Sequence, residues 1–303
     1  MPPTLHPLHA QVSSALHSRH HIPVDPRWLN DFLTSRGPNP PPVAALISTA
    51  HFRILASDIT TSISTATTAA APTFPEDASD VTVHERRLEG HVIVQVLDVH
   101  DVGASKFSQI EAIERVERGE EIRGREVIRS VRVESGHDGD DEGAATSTTS
   151  TNNAVATTTG ATSTSSTSTK LTSGPHKLVV QDAKGTRMFA LEVEKVPKLG
   201  VSVSAGARVP TGTSGSGAVI GADDPGMFIG CKLLLRPGTV VRRGIIMLTP
   251  GNCVVMGGKV EAWDKQWREG RKGRLVALMA EGGSSSNSSS NANPNVNGTD
   301  VGG

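Results

Sequence analysis

The chain has 303 residues, and its 30 lysines and arginines nearly balance its 31 aspartates and glutamates, which leaves a formal charge of −1 at pH 7. No strong overall field therefore commits the protein to nucleic acid or to a membrane surface. Residues 143–174 and 282–303 consist mostly of Ser, Thr, Ala, Asn and Gly, and such stretches bury too little apolar area to offset the entropy of ordering, so about two thirds of the chain is expected to fold.

Three amphipathic segments predict a small helical bundle over residues 1–60. The first repeats apolar residues at intervals of three or four between Leu5 and Leu16, which places them on one helical face. The second begins at Asp25-Pro26, an N-cap residue followed by proline at the first helical position. The third carries an apolar face from Val43 to Ile59. None of these short helices would be stable alone, so they are expected to pack together.

Residues 61–89 are interpreted as a linker that begins rich in Thr, Ala and Pro. The run His91–Val99 then predicts a buried strand, because β-branched residues dominate it. A turn and a short exposed helix are expected next, where Glu111 and Arg115 are opposite charges four residues apart.

The remaining domain is predicted to span residues 90–281. Two low-complexity stretches in it, at about 129–175 and 202–226, are expected to be disordered insertions. Between them, Lys177–Gln181 and Met188–Val193 flank a turn that contains glycine, which predicts a hairpin.

Three short apolar runs close the domain, and each is bounded by Gly, Pro or Asn. The runs are Leu233–Leu235, Ile245–Leu248 and Cys253–Met256. The residues Leu234, Ile246, Val254 and Val255 are assigned to the core. A final amphipathic helix over Trp263–Glu281 and a disordered tail at 282–303 complete the prediction.

These patterns predict an all-β barrel of about five or six strands, with an N-terminal three-helix bundle and long disordered insertions. A small barrel buries short apolar runs while leaving few open strand edges. Cys231 and Cys253 lie inside strand-like runs and are interpreted as small core residues. No apolar run approaches the roughly 20 residues that span a bilayer, and no signal-peptide pattern is found. We therefore expect a soluble protein of a reducing, intracellular compartment.

Four blocks of the chain carry particular residue identities as well as apolar patterns. They are Val24–Phe32 with Pro-x-Trp-Leu, Leu97–Ile110 with Asp-Val followed by Ser-Gln-Ile, Leu178–Glu194, and Arg242–Glu261 with RxG-hydrophobic-TPxN-V-GG-V-E. Together with the bundle and the strand order, these blocks resemble the N-terminal region of the family of RecQ-mediated genome instability protein 1. The resemblance runs from Leu5 to Leu278 without the linker and the insertions, and it implies that the barrel is an OB-fold.

Members of this family act as non-catalytic scaffold proteins in the nucleus, and the resemblance implies the same role for this chain. A type IA topoisomerase and a RecQ-family helicase would be its partners in dissolving double Holliday junctions, in homologous recombination and in DNA repair and replication. Larger family members carry a second OB domain downstream, where this chain has a Ser/Asn tail. It is therefore expected to be a short fungal-type form, with a small second OB-fold subunit as a further partner, or a partial gene product.

The segment Lys106–Ile128 follows the first strand, where the family places its topoisomerase-contacting loop. It sets apolar residues among charges, so it is either a partner-binding segment or a helix packed on the barrel. The residues expected to bind the topoisomerase are Lys106, Phe107, Ile110 and Ile113. The resemblance adds Lys232, at the start of a strand opposite that loop, whose alternative is an ordinary charge at a strand end.

An enzyme is one alternative, and the residue patterns argue against it. His6 and His9 are three apart on one predicted helical face, but no further metal ligands are expected to converge there, so they are interpreted as surface histidines. Asp138, Asp140 and Asp141 fall in an acidic stretch that cannot hold catalytic geometry. No nucleophile elbow, phosphate loop or dinucleotide fingerprint is found. We expect no catalytic residue, metal or cofactor.

A module that binds single-stranded nucleic acid is the second alternative. Between Lys232 and Arg274 there are ten Lys or Arg and three acidic residues. OB barrels also stack bases on aromatic side chains, at about 1–3 kcal/mol each. Tyr is absent, and Phe189 is the one aromatic residue in the predicted strands. Weak or indirect DNA contact is therefore expected. The role of Arg242-Arg243 stays open, because the pair is either part of a solvated turn or a contact with DNA or a partner.

Overall fold

The structure is a computed structural model that describes residues 5–37, 39–66, 73–118, 120–123, 126–129, 171–203, 205–206 and 226–284. Most of the insertions predicted at about 129–175 and 202–226 lies outside the described residues, and so does most of the tail predicted at 282–303.

Four helices make up the N-terminal bundle. They are α1 His9–His20, α2 Pro26–Thr34, α3 Val43–Leu55 and α4 Ile59–Ser62. Asp25 caps α2 as predicted, because its side chain accepts hydrogen bonds from the backbone N–H groups of Arg27 and Trp28 at 2.9 and 3.0 Å. The third predicted segment is divided into α3 and α4, because Asp58 caps a new helix by accepting from Thr60 N at 3.0 Å.

The described residues contain ten strands and two further helices. The strands are β1 Arg86–Arg87, β2 Val92–Asp101, β3 Glu120–Arg123, β4 Glu126–Arg129, β5 His176–Gln181, β6 Arg187–Glu192, β7 Lys232–Leu235, β8 Val240–Arg242, β9 Ile245–Leu248 and β10 Cys253–Gly257. Helix α5, Lys106–Glu117, follows β2, and helix α6, Glu261–Ser284, follows β10. The predicted first strand, hairpin, closing strands and final helix are all confirmed.

Eight of these strands form one curled, mixed sheet in the order β1-β8-β9-β6-β5-β2-β7-β10. All neighbours are antiparallel except β6 and β9, which run parallel. The central strand β2 pairs with β7 through Val92–Gln95 and with β5 through Gln95–Asp101. A register shift between Val96 and Asp98 interrupts the second pairing, and such a bulge bends a strand. The sheet is the half-barrel that the OB-fold prediction requires, with more strands than expected.

The extra strands come from segments with weak sequence signals. Within the predicted linker, Arg86–Arg87 pairs with β8, and Phe74 and Ala78 are buried in the barrel core. The Phe74 N–H also donates to the Asp182 carboxylate at 2.9 Å. The later part of the predicted linker therefore belongs to the barrel. Strands β3 and β4 pair in a separate hairpin after α5.

The strands β2 and β7 bury side chains on both faces. Successive strand residues point to opposite faces, so Val94 and Leu233 enter the barrel core. Ile93 and Leu234 instead join the hydrophobic cluster of the helical bundle. This burial on both faces explains why the two strands appear in the sequence as nearly continuous apolar runs.

Helix α6 covers another part of the barrel. Trp267 belongs to the barrel core, and its indole N–H donates to the Asp98 carboxylate at 2.6 Å. In the described part of the chain, no helix combines the length and the apolar character that crossing a membrane requires.

The contact between bundle and barrel predicts different costs for two neighbouring substitutions. Gly257 and Gly258 have φ values of +88° and +91°, and a Cβ at Gly258 would lie 2.3 Å from the Leu55 carbonyl oxygen, whereas one at Gly257 would meet nothing within 4 Å. We expect Gly257→Ala to lower the free energy of unfolding by about 1–2 kcal/mol, through backbone strain alone. Gly258→Ala should cost about 3–5 kcal/mol, since the clash adds to that strain.

Urea denaturation of both variants, followed by circular dichroism, measures this difference. Equal losses of stability would contradict the close approach of the α3 terminus to the barrel.

Candidate partner-binding surface and the domain junction

Helix α5 leaves the barrel in an orientation that its first turn determines. Ser105 caps the helix by accepting a hydrogen bond from Ser108 N at 3.1 Å. The buried Gln109 side chain donates to the carbonyl oxygens of Asp101 and Ala104, at 3.1 and 3.0 Å. Ile113 is completely buried. Polar and apolar contacts together therefore hold the inner face of α5.

Helix α6 packs beside α5 and pairs with it electrostatically. Lys272 Nζ lies 2.7 Å from Glu117 and 3.2 Å from Glu114, and hydrogen bonds to these two carboxylates raise the pKa of Lys272. The Lys106 ammonium donates to the Leu278 carbonyl oxygen at 3.1 Å. The start of α5 therefore lies against the later turns of α6.

The outward side of this helix pair presents apolar side chains to solvent. Phe107 is 64% exposed, and the exposed residues Val102, Val276 and Met279 lie on the same two helices or just before them. We call Val102, Phe107, Val276 and Met279 the α5–α6 surface. Exposed apolar side chains on two packed helices are candidates for a protein-binding site.

The predicted contact residues on α5 separate into two groups. Lys106 and Phe107 are exposed and Ile110 is half-buried, so a partner can reach them. Ile113 is in the interior and cannot contact a partner, which corrects the expectation for that residue. The sequence pattern placed Met279 on the apolar face of the final helix and did not single out Val276, and the structure leaves both side chains exposed.

The expectation that the Lys232 side chain contacts a partner is also corrected, because Lys232 lies in the interior and not at the surface. Its side chain has 0% exposure, and its ammonium donates to the carbonyl oxygens of Ser57 and Gly230, both at 2.6 Å. Burial lowers the pKa of Lys232 to about 8, although nearby Cys231 and Asp58 act to raise it. Lys232 therefore joins the end of the bundle to the barrel, and a partner cannot contact its side chain directly.

Gln95 completes this junction from the neighbouring strand. Its buried amide donates to the Asp58 carboxylate at 2.7 Å and to the Gln181 side chain at 3.1 Å. Its carbonyl oxygen accepts from the Ile59 backbone N–H at 3.1 Å. We call Ser57, Asp58, Gln95 and Lys232 the domain junction. The sequence signal for Gln95 is a polar residue inside an otherwise apolar strand.

Most of the basic residues counted in the C-terminal region have partners inside the protein. Arg242 pairs with Glu85 at 3.1 Å and Arg268 with Asp264 at 2.8 Å. Arg271 is buried, and its guanidinium donates to the Ala205 carbonyl oxygen at 2.9 Å. These pairings leave less free positive charge for a phosphate backbone than the sequence count indicates.

Arg242 and Arg243 are both exposed, Arg242 at the end of β8 and Arg243 in the turn that leads to β9. Arg243 adopts a φ of 48°, and its guanidinium lies 3.4 Å from the His84 ring nitrogen. Both arginines therefore contact the segment before β1. Exposed pairs of this type contribute little to stability, so either residue could exchange its present neighbour for DNA or a partner.

The sheet surface offers one aromatic side chain for stacking. Phe189 is 45% exposed on β6, and Lys177 Nζ lies 4.0 Å from its ring centroid. Phe189 is the one Phe, Tyr or Trp in the described strands. A base could stack there only in competition with the lysine.

A buried row of hydroxyl, imidazole and carboxylate lies where the chain re-enters the barrel. The His176 ring nitrogens lie 2.7 Å from the Thr172 hydroxyl and 2.6 Å from the Glu192 carboxylate. Hydrolytic triads use the same order of groups. Here all three residues are buried, and the Thr172 hydroxyl also accepts from Val201 N at 3.1 Å. The hydrogen bonds of these three side chains therefore join three segments of the chain, and the side chains are buried away from any substrate.

No group of three or more potential metal ligands converges within the described ranges. His9, expected at the surface, is buried, and its ring lies 3.2 Å from the Pro26 carbonyl oxygen. Both cysteines are free and buried, as predicted.

Comparison with known proteins gives matches to both parts of the chain. The family model of the RMI1 N-terminal helical domain matches residues 16–62. The model of the RMI1 N-terminal OB-fold domain matches residues 71–210 and 219–271. RecQ-mediated genome instability protein 1 of Schizosaccharomyces pombe (strain 972 / ATCC 24843) is 28% identical over 254 residues, which cover 81% of this chain and 86% of that protein.

The buried ammonium of Lys232 predicts a specific pH dependence of stability. The folded chain releases this proton near pH 8, whereas the unfolded chain keeps it until about pH 10.5. The unfolded state therefore binds more protons in this window. Relative to a Lys232→Met variant, the free energy of unfolding of the native chain should rise with pH across the window, by up to about 3 kcal/mol.

Urea denaturation of both proteins at a series of pH values tests this prediction. The variant serves as the reference because it carries every other titrating group. Parallel pH curves for the two proteins would show that Lys232 does not carry the lowered pKa.

Proposed function

The chain belongs to the family of RecQ-mediated genome instability protein 1, and we propose that it is a non-catalytic scaffold that joins a type IA topoisomerase to a RecQ-family helicase. Family membership supports a role in genome stability linked to RecQ. The proposed role includes the dissolution of double Holliday junctions during homologous recombination, and it would be carried out in the nucleus. A small second OB-fold subunit is proposed as a further partner.

One observation carries the proposal, namely the exposed α5–α6 surface beside the barrel. Phe107 projects from the outer face of α5, while Gln109 and Ile113 hold the inner face. Large side chains that are exposed on a rigid support contribute most to protein interfaces when they become buried. We therefore propose that Phe107, with Lys106 and Ile110, contacts the topoisomerase. Ile113 and Lys232 act indirectly, because they position the elements that carry this surface.

The scaffold would influence the topoisomerase without performing chemistry itself. A segment that binds one conformation of the topoisomerase gate more tightly than another shifts the equilibrium between them by the difference in affinity. The insertion after α5 would carry this contact further in our proposal.

Replacing Phe107 with Asp should remove the central apolar contact and place a charge in the interface. We expect at least about a 30-fold loss of affinity for the cognate type IA topoisomerase, which is about 2 kcal/mol. Pull-down followed by titration calorimetry measures the change. Dissolution of a double Holliday junction by the reconstituted topoisomerase and helicase should fall in parallel.

Phe52→Asp provides the matched control. Phe52 is 70% exposed on α3, so the same substitution changes charge and apolar area on a different surface. Equal losses with both variants, or no enrichment of the topoisomerase by the native chain, would refute the proposed surface. Helical content measured by circular dichroism confirms that each variant is folded.

Phe189 supports a second candidate, a weak single-strand-binding face on β5 and β6. Its exposed ring lies next to Lys177, and one stacked base contributes about 1–3 kcal/mol. We expect oligothymidine to bind weakly, with an affinity that falls steeply as salt increases. Fluorescence anisotropy across a salt series measures this, and nanomolar binding at physiological salt would favour the nucleic-acid module over the scaffold.

A further inference from the structure

A groove on the N-terminal bundle lies apart from the α5–α6 surface. It has a volume of about 510 Å³ and runs between α2 and the end of α3. This volume is within the range that accommodates small ligands or a few peptide residues. The scaffold function proposed above makes no use of it.

Two stacked aromatic rings form the apolar part of the groove. The Trp28 and Phe32 rings are nearly parallel, with an angle of 1° between their planes and 5.7 Å between their centroids. Phe32 is buried and Trp28 is half-buried, so part of the indole is available for contact. An aliphatic or aromatic side chain placed here would bury apolar area on both partners.

Two guanidinium groups lie beside the same rings. The Cζ atoms of Arg36 and Arg53 are 4.6 and 5.8 Å from the Phe32 centroid. Arg53 lines the groove and is exposed. Arg36 Nε and Nη2 have no hydrogen-bond acceptor among the residues that the structure describes. Of the two guanidinium groups only that of Arg53 lines the groove, and it places one positive charge beside the aromatic rings.

One acidic side chain limits which anion can enter. Asp31 also lines the groove and is exposed, so a uniformly charged chain of phosphates would meet repulsion along part of its path. A ligand that carries both apolar side chains and carboxylates fits better, with an apolar side chain against Trp28 and a carboxylate near Arg53. Arginine pairs with carboxylates through two parallel hydrogen bonds.

The domain junction stabilises one end of the groove. Ser57 is a lining residue, and its carbonyl oxygen accepts a 2.6 Å hydrogen bond from the Lys232 ammonium. That end of the groove is thus held before any ligand arrives, which reduces the entropy lost on binding.

We propose that this groove is a docking site for a short acidic peptide segment of a partner protein, in which a large apolar residue adjoins carboxylates. The apolar residue packs on the Trp28–Phe32 pair, and an adjacent carboxylate pairs with Arg53. This site goes beyond the proposed scaffold surface, since it lies on the bundle and recognises carboxylates together with an apolar side chain.

A synthetic peptide tests the proposal on the full-length chain. The probe is a fluorescein-labelled hexapeptide with a Leu-Phe pair flanked on each side by two glutamates, and binding is followed by anisotropy. Arg53→Glu should weaken binding by at least about tenfold, because it replaces attraction by repulsion. The matched control is Arg187→Glu, the same charge reversal at an exposed position on β6, which should leave the affinity within about twofold.

Ligand-side controls keep the test independent of any folding defect in the variants. The same hexapeptide with lysines in place of glutamates, or serines in place of Leu-Phe, should not bind the native chain. On addition of the acidic probe, the Trp28 indole resonance should shift in NMR spectra. Lack of probe binding at about 1 mM protein, equal losses with the two variants, or displacement of the probe by oligothymidine would each overturn the proposal.

Failure here is distinguishable from failure of the scaffold proposal. The peptide assay contains no topoisomerase, and Phe107→Asp should leave peptide binding unchanged. Loss of probe binding on Phe107→Asp would contradict the separation of the two surfaces.

Discussion

A buried ammonium group holds the helical bundle on the barrel. Removing a charged amine from water costs several kcal/mol unless its hydrogen bonds are replaced, and in this chain Ser57 and Gly230 supply two carbonyl oxygens at 2.6 Å. One acceptor comes from the bundle and the other from the barrel. Separation of the two parts would leave Lys232 with half of its acceptors, so this contact helps to fix the position of the bundle on the barrel.

The same constraint explains why β2 can position the α5–α6 surface. Its inner residues fill the barrel, its outer residues pack on the bundle, and Gln95 bonds to both α4 and β5. Because β2 is held from both sides, α5 starts from a defined point after Asp101. Gln109 and Ile113 then orient the helix, and Phe107 is left on the outside.

The distribution of charge favours docking over binding of a nucleic-acid strand. A count along the sequence indicates a basic C-terminal region, but several of its cations are committed to internal acceptors, such as Arg271 to Ala205 and Lys272 to Glu117. An ammonium or guanidinium with an internal partner gives up that partner to bind phosphate, and this reduces the gain. The groove on the bundle differs, because Arg53 lies exposed beside aromatic rings.

Local patterns along the chain were enough to predict most of the elements and the family. The Asp25-Pro26 cap, the β-branched run before Asp101 and the residue identities of Arg242–Glu261 depend on neighbours in the sequence, and such signals act within a few residues. The double burial of β2 and β7 is likewise visible as apolar runs.

Only the tertiary structure decided which polar residues are internal. Lys232 and Ser57 are 175 positions apart, and a lysine at a strand end looks the same in a sequence whether it lies in solvent or below a helical bundle. The burial of Gln95 between α4 and β5, and the position of α5 beside α6, where Lys106 and Lys272 link the two helices, depend on packing in the same way. Hydrogen bonds and burial are formed by groups that are close in space, so their partners are settled when the elements pack together.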